Sequence, residues 1–388
     1  MSPRHALLLA LAVASATSGA GPWDVKALQQ TPRVEWLDST GPLRSLLYEG
    51  EPYHGKPTRV FAYYAPARHV SGPAPGVVLV HGGGGKAFRD WAWMWAERGY
   101  SAIAMDLAGH GADGERLPDG GPDQGPKEKF DDIADGLREA WTYHAIADVM
   151  RALSVLQAQP GVDPERIGVT GISWGGYLTS IVVGVDDRIK AAVPVYGCGF
   201  IYRNSPWVKN IDDLTPDLRR AWIDNFDPSK HLPHASAPIL WVTRTQDFHY
   251  RMDNYQAGYR LPQGPRVLSI TTDRQHSHPA GWAPPEIELF FDHYLKGEAP
   301  LATVGETQTQ GGQATATVQA AVELTAAVLA YTRDDPTSHE SLWETAPARL
   351  EAGKVSAPLP EPAPRAYFLI VSDARGARIS SPCVGCSP

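Results

Sequence analysis

Residues 169–180 read "VTGISWGGYLTS" and set Ser173 between an apolar run, "RIGVTGIS", and a stretch of helical character, "GGYLTS". A chain that leaves a strand and enters a helix within so few residues must bend sharply, and the residue at the bend takes a strained backbone conformation. Gly171 before Ser173 and Gly175 and Gly176 after it supply the room. The bend would lift Ser173 to a helix N-terminus, where free N–H groups and the positive end of the helix favour a developing anion. Glycine spacing of this kind also arises by chance, and a serine at a helix start is often only a cap. The surrounding chain therefore has to decide whether Ser173 does chemistry.

Upstream, "APGVVLVHGGGG" is a buried-type strand that ends in His81 to Gly85, and "FRDWAWMWAERGY" fits a helix closing at Gly99. "SAIAMD" follows as a strand, and "HAIADVMRALSVLQ" repeats Ile146, Val149, Met150, Leu153 and Leu156 at helical spacing. "AAVPVYG", "APILWVT" and "RVLSIT" continue the series of short apolar strands, and residues 44–67 read as a hairpin in front of it. Strands alternating with amphipathic helices specify a mostly parallel sheet with helices on both faces, an α/β fold. Two insertions, residues 107–140 and 199–235, interrupt the alternation and stand where a substrate entrance is commonly shaped.

On that frame a serine nucleophile needs a base, an orienting acid and donors for an oxyanion. Asp247 follows the strand "APILWVT", 74 residues beyond Ser173, and "RVLSITTDRQHSHPAGW" offers His276 and His278 after the last strand, in the order serine, acid, histidine. Sequence does not separate the two histidines cleanly; His278, which follows a small residue, is favoured as base and His276 is assigned to the pocket wall. Backbone N–H groups near Gly83 or Gly84, with that of Trp174, are expected to form the oxyanion hole. Trp207 and Trp222 of the second insertion are candidate substrate contacts, whereas Trp91, Trp93 and Trp95 are as well explained by core packing. The H-S-H pair with Asp273 is a conceivable metal site, but without further ligands at suitable spacing no metal and no cofactor is expected.

The carrying segments "VVLVHGGGG", "GYSAIAMDLAGHG", "VDPERIGVTGISWGGY", "TQDF" and "HSHPAGW" resemble the α/β-hydrolase superfamily, and within it the secreted esterases of the dienelactone hydrolase, acetyl xylan esterase and prolyl oligopeptidase-like group. The resemblance covers roughly residues 45–297 and implies a serine hydrolase acting on carboxylic esters through an acyl-serine, with acetylated carbohydrate as one substrate class. A serine exopeptidase or amidase using the same residues is the alternative, as is a catalytically silent carbohydrate- or surface-binding protein. One departure from the group is Arg244, where many relatives have a glycine before the acid loop.

The 388 residues are 43% hydrophobic and 20% charged, enough for a sizeable core, and the net charge of −8 without a Lys/Arg cluster argues against nucleic acid. "MSPRHALLLALAVASATSGAGPW" is read as a bacterial secretory signal, residues 1–20, cleaved after Ala20, so the mature protein is expected to be secreted or periplasmic; no membrane span is expected. The hydrolase domain is set at residues 21–298, a linker at the Gly-, Gln- and Thr-rich 299–317, and a small immunoglobulin-like β-sandwich at 318–388. Cys383 and Cys386 are close enough in sequence to pair, and Cys198 reads as a buried apolar residue.

Overall fold

The computed structural model describes residues 21–386, so the expected signal segment, residues 1–20, lies outside the described residues. The main sheet has nine strands: β1 Val34–Asp38, β2 Arg44–Glu49, β3 Arg59–Ala65, β4 Ala74–Val80, β5 Ser101–Met105, β6 Val162–Ile172, β7 Ala191–Val195, β8 Ile239–Arg244 and β9 Arg266–Thr271. Their spatial order is β1-β2-β3-β5-β4-β6-β7-β8-β9. The hairpin β2–β3 and the preceding β1 form an antiparallel flank, while β5, β4, β6, β7, β8 and β9 run parallel.

Every residue of β4, β5 and β7 is buried, as a strand covered on both faces requires. The covers are the helices Arg89–Glu97, Trp141–Gln157 and Trp174–Val185. Trp91 and Trp95 are 1% exposed on the first of these, and Arg68 lies over Trp93, which places all three tryptophans in packing roles. Trp222 is likewise fully buried: its indole N–H donates to the Lys129 carbonyl at 2.9 Å and its ring packs on Phe130, tying the two insertions together. The substrate contact expected of Trp222 is therefore corrected. The helix Pro216–Phe226 is amphipathic, and its largest apolar side chain turns inward.

Beyond the last helices come β10 Thr303–Val304, β11 Gln308–Gln310, β12 Gln313–Gln319, β13 Leu324–Thr332, β14 Glu344–Pro347, β15 Arg349–Glu351, β16 Lys354–Pro358, β17 Ala366–Asp373 and β18 Arg378–Ser380. They make two antiparallel sheets, β10-β12-β16-β15 with β11 on β12, and β14-β13-β17-β18, which face each other. The stretch read as a linker is thus largely strand. Its alternation places Ala314, Ala316 and Val318 inward and Gln and Thr outward, a period of two that composition alone conceals. These strands also share a continuous apolar core with the elements around the nine-stranded sheet. β18 lies against β9, with Ser380 Oγ accepting from the Ile270 N–H at 3.1 Å and Arg378 paired to Asp273 at 2.8 Å. Cys383 and Cys386 form a disulfide, and Cys198 is buried.

The bend at Ser173 is fixed by backbone proximity. A Cβ added to Gly175 would stand 2.0 Å from the Val80 carbonyl oxygen, and one on Gly171 would stand 2.2 Å from the Gly175 oxygen. Neither neighbour is a flexible side chain that can move aside. Gly175→Ala is expected to destabilise the fold by about 3 kcal/mol or more, read as a lowered urea midpoint; an unchanged midpoint would show that β4 and the helix after β6 are not in this contact.

Candidate active site

Four loops leave the same end of the parallel strands and meet there: the glycine loop after β4, the Ser173 bend after β6, the acid loop after β8 and the histidine loop after β9. Ligand sites in such sheets form at the carboxyl ends of the strands. Ser173 has φ 60° and ψ −117°, a left-handed conformation that a non-glycine residue adopts only when its surroundings enforce it. Its N–H donates to the Val195 carbonyl at 2.9 Å, and its own carbonyl accepts from the Tyr177 N–H at 2.9 Å to start the helix.

Asp247 is 2% exposed. One carboxylate oxygen accepts from the N–H groups of His249 and Tyr250, each at 2.9 Å, and the other meets His276 Nδ1 at 2.6 Å. An Nδ1–H donated to the carboxylate leaves the lone pair on Nε2, the arrangement a general base requires. Tyr196 stacks on His276 with ring centroids 4.3 Å apart and bonds to the Gln275 carbonyl through its hydroxyl, bracing the imidazole from behind.

His278 occupies a different place. Its Nε2 accepts the Gly82 N–H at 3.0 Å, its ring packs on Phe88, and burial lowers its pKa to about 4, so it stays neutral near pH 7. The preference for His278 as the partner of Asp247 is corrected: His276 holds that position. Sequence missed this because both histidines follow the same strand and only the turn of the loop decides which one faces the carboxylate.

One pocket of about 410 Å³ is lined by Gly83, Gly84, Lys129, Ile172, Ser173, Trp174, Trp207, His249, His276, Ser277 and His278. It brings Ser173 and His276 onto one surface with the glycine loop. The N–H groups of Gly83 and Trp174 have no acceptor among the described residues, whereas the Gly84 N–H is taken by Gln124 Oε1 at 3.2 Å. Trp207 stacks on His249, with centroids 5.5 Å apart, and packs on Trp174. Arg244 lies outside this lining and bonds to Gln246.

Sequence reading overlooked His249, Tyr250 and Lys129. His249 and Tyr250 were legible in "TQDFHY" as the residues directly after the acid, but nothing in the pattern said that they turn inward. Tyr250 is fully buried with its hydroxyl beside Ser173, and burial raises its pKa well above the phenol range. Asp247, His249 and His276 also hold three potential ligand atoms within 4.8 Å of one another, a set of the kind that suits zinc or copper, but both carboxylate oxygens already accept N–H donors.

A nine-stranded, mostly parallel sheet with a serine at a strand-to-helix bend, an acid after one later strand and a histidine after the next defines an α/β-hydrolase, and the chain has that fold. Within this class, residues 45–207 match the acetyl xylan esterase family (AXE1). Two solved structures are similar in fold: an acetyl xylan esterase from Paenibacillus sp. R4, with TM-score 0.55, 21% identity, 70% of this chain and 92% of that one covered, and an acetyl xylan esterase from Thermoanaerobacterium sp., with TM-score 0.55, 17% identity and 71% and 96% covered. The uncharacterized peptidase YuxL of Bacillus subtilis is 31% identical over 191 residues, 45% of this chain. The aligned region spans only 26% of that relative's length.

Proposed function

We propose that this chain is a serine hydrolase of carboxylic esters, with Ser173 as nucleophile, His276 as general base and Asp247 as the acid that orients it. The observation that carries the reading is the 2.6 Å contact of His276 Nδ1 with Asp247, made by a histidine that lines the same pocket as the strained Ser173. In this reading Ser173 Oγ attacks the ester carbonyl carbon while its proton passes to His276 Nε2. The N–H groups of Gly83 and Trp174 hold the negative oxygen of the tetrahedral intermediate. Collapse expels the alcohol, which leaves with the proton from His276. A water molecule, deprotonated by the same imidazole, then releases the acid from the acyl-serine. This sequence of steps draws on no cofactor.

The match to the acetyl xylan esterase family favours a small ester, with the acetyl group of an acetylated carbohydrate as the first class to test. Export from the cytoplasm is part of the proposal: the disulfide between Cys383 and Cys386 suits an oxidising compartment, and no helix among the described residues is long and apolar enough to cross a membrane.

A fluorophosphonate probe tests the nucleophile. Mass spectrometry of the labelled protein is expected to place the adduct on the peptide carrying Ser173 and to find none in Ser173→Ala. An adduct on another serine, or equal labelling of both proteins, would remove the assignment. A panel of acetylated xylo-oligosaccharides, short acyl esters and peptide amides separates the esterase from the amidase alternative.

A further inference from the structure

Lys129 lies on the wall of the Ser173 pocket and takes no part in the proposed reaction. It is 8% exposed, and its ammonium sits 4.9 Å from the centroid of the Trp174 ring and 5.2 Å from that of Trp141. Nζ donates one hydrogen bond, to the Gln124 carbonyl. An ammonium has three donors, and among the described residues the other two have no acceptor. No carboxylate of the described residues comes within 4.0 Å of it. The buried carboxylate closest along the chain, Asp132, is taken by Lys127 at 2.7 Å. Asp123 and Glu128 favour the cation only from farther off, and burial lowers its pKa to about 8, so it still carries its charge near pH 7.

A buried charge is ordinarily paired, because removing it from water is costly unless an opposite charge or several hydrogen bonds replace the lost hydration. Here two aromatic faces and one carbonyl give partial compensation. Lys129 also lines the cavity that Ser173, Trp174 and His276 line, and it is the only lysine or arginine in that lining. A perturbed, incompletely paired ion in a concave site is a reason to look for a ligand of opposite charge.

We propose that Lys129 is a substrate-binding residue that selects esters carrying a carboxylate, or an equivalent anion, beside the scissile ester group. The inference rests on the esterase reading above and adds the charge of the substrate to it. An anionic group drawn to the ammonium would place the ester against Trp174 and the glycine loop, while a neutral ester of the same shape would leave the cation uncompensated.

The test compares charged esters with neutral amide isosteres: ethyl hydrogen succinate against ethyl succinamate for charge on the acyl side, and O-acetyl-lactate against O-acetyl-lactamide for charge on the alcohol side. In the natural protein at least one charged ester is expected to exceed its neutral partner in kcat/KM by about ten-fold or more, mainly through KM. Lys129→Met should erase that preference and Lys129→Arg should retain it, with thermal melting confirming that each variant folds. Equal kcat/KM within both pairs, or an equal loss on charged and neutral esters in Lys129→Met, would overturn the assignment. A parallel arm measures binding of the same four compounds to Ser173→Ala, with and without Lys129→Met, by ligand-observed NMR. If no ester is turned over, the esterase reading fails, and the binding arm alone decides the anion site: a preference for the charged compounds lost with Lys129 upholds it, and its absence ends it.

Discussion

His276→Ala is expected to lower kcat/KM on a short acyl ester by about four orders of magnitude, and His278→Ala by about ten-fold. The first change removes the imidazole that is hydrogen-bonded to Asp247, so Ser173 would have to attack as a neutral hydroxyl. The second leaves the proposed base in place and removes instead the acceptor that holds the Gly82 N–H, at 3.0 Å. Gly82 presses on the Ser173 bend: a Cβ placed on it would stand 2.5 Å from the Ile172 carbonyl oxygen and 3.0 Å from Ser173 Cβ. Loosening that loop would blur the oxyanion donors without abolishing proton transfer. Steady-state kinetics on the two purified variants reads the difference. A larger loss in His278→Ala than in His276→Ala would reverse the assignment and move the base to the histidine that the structure sets on the glycine loop.

The second large effect concerns Ser173, where function and stability are expected to move in opposite directions. Both Ser173→Ala and Ser173→Gly delete the hydroxyl and should lower turnover by four orders of magnitude or more, on the scale of about 10⁶ for loss of a serine nucleophile. They should part company in stability. Alanine keeps a Cβ at φ 60° and so keeps the strain, which for such a conformation is about 1–3 kcal/mol. Glycine relieves it but raises the entropy of the unfolded chain, a loss of about 0.5–1 kcal/mol. The balance favours Ser173→Gly over Ser173→Ala by about 1 kcal/mol, measured as the difference in urea midpoints of the two inactive proteins. Equal midpoints, or a less stable glycine variant, would mean that the bend stores no strain to be relieved. A strained residue retained where glycine would be more stable is what a site selected for its hydroxyl should show.

How far the site was legible depended on how local its signals are. The spacing of Gly171, Ser173 and Gly175 is a short-range constraint: a strand that ends and a helix that begins within five residues can be read from neighbours alone, and the strain at Ser173 follows from it. The glycine loop at His81 to Gly85 and the acid after β8 were legible for the same reason, since each directly follows a buried apolar run. The identity of the histidine was not, because His276 and His278 are two residues apart and the choice rests on the path of a loop that Tyr196, from a distant strand, braces. Trp207 and Trp222 share one insertion and one composition, yet one lines the pocket and the other is sealed against Phe130 and the Lys129 carbonyl.

The sequence by itself determined the alternation of strands and helices around the parallel sheet, the sharp bend at Ser173 and the chain order of Ser173, Asp247 and the two histidines proposed for the chemistry, since these follow from periodicity and from glycine sterics acting over a few residues. Only the tertiary structure decided which histidine meets Asp247, that Lys129 lines the pocket as an incompletely paired cation, and that residues 303–319 hold three strands packed on a shared core rather than a tether. Each of those outcomes depends on contacts between segments far apart in the chain, and the free energy of such contacts is set by what the fold brings together, not by the residues on either side.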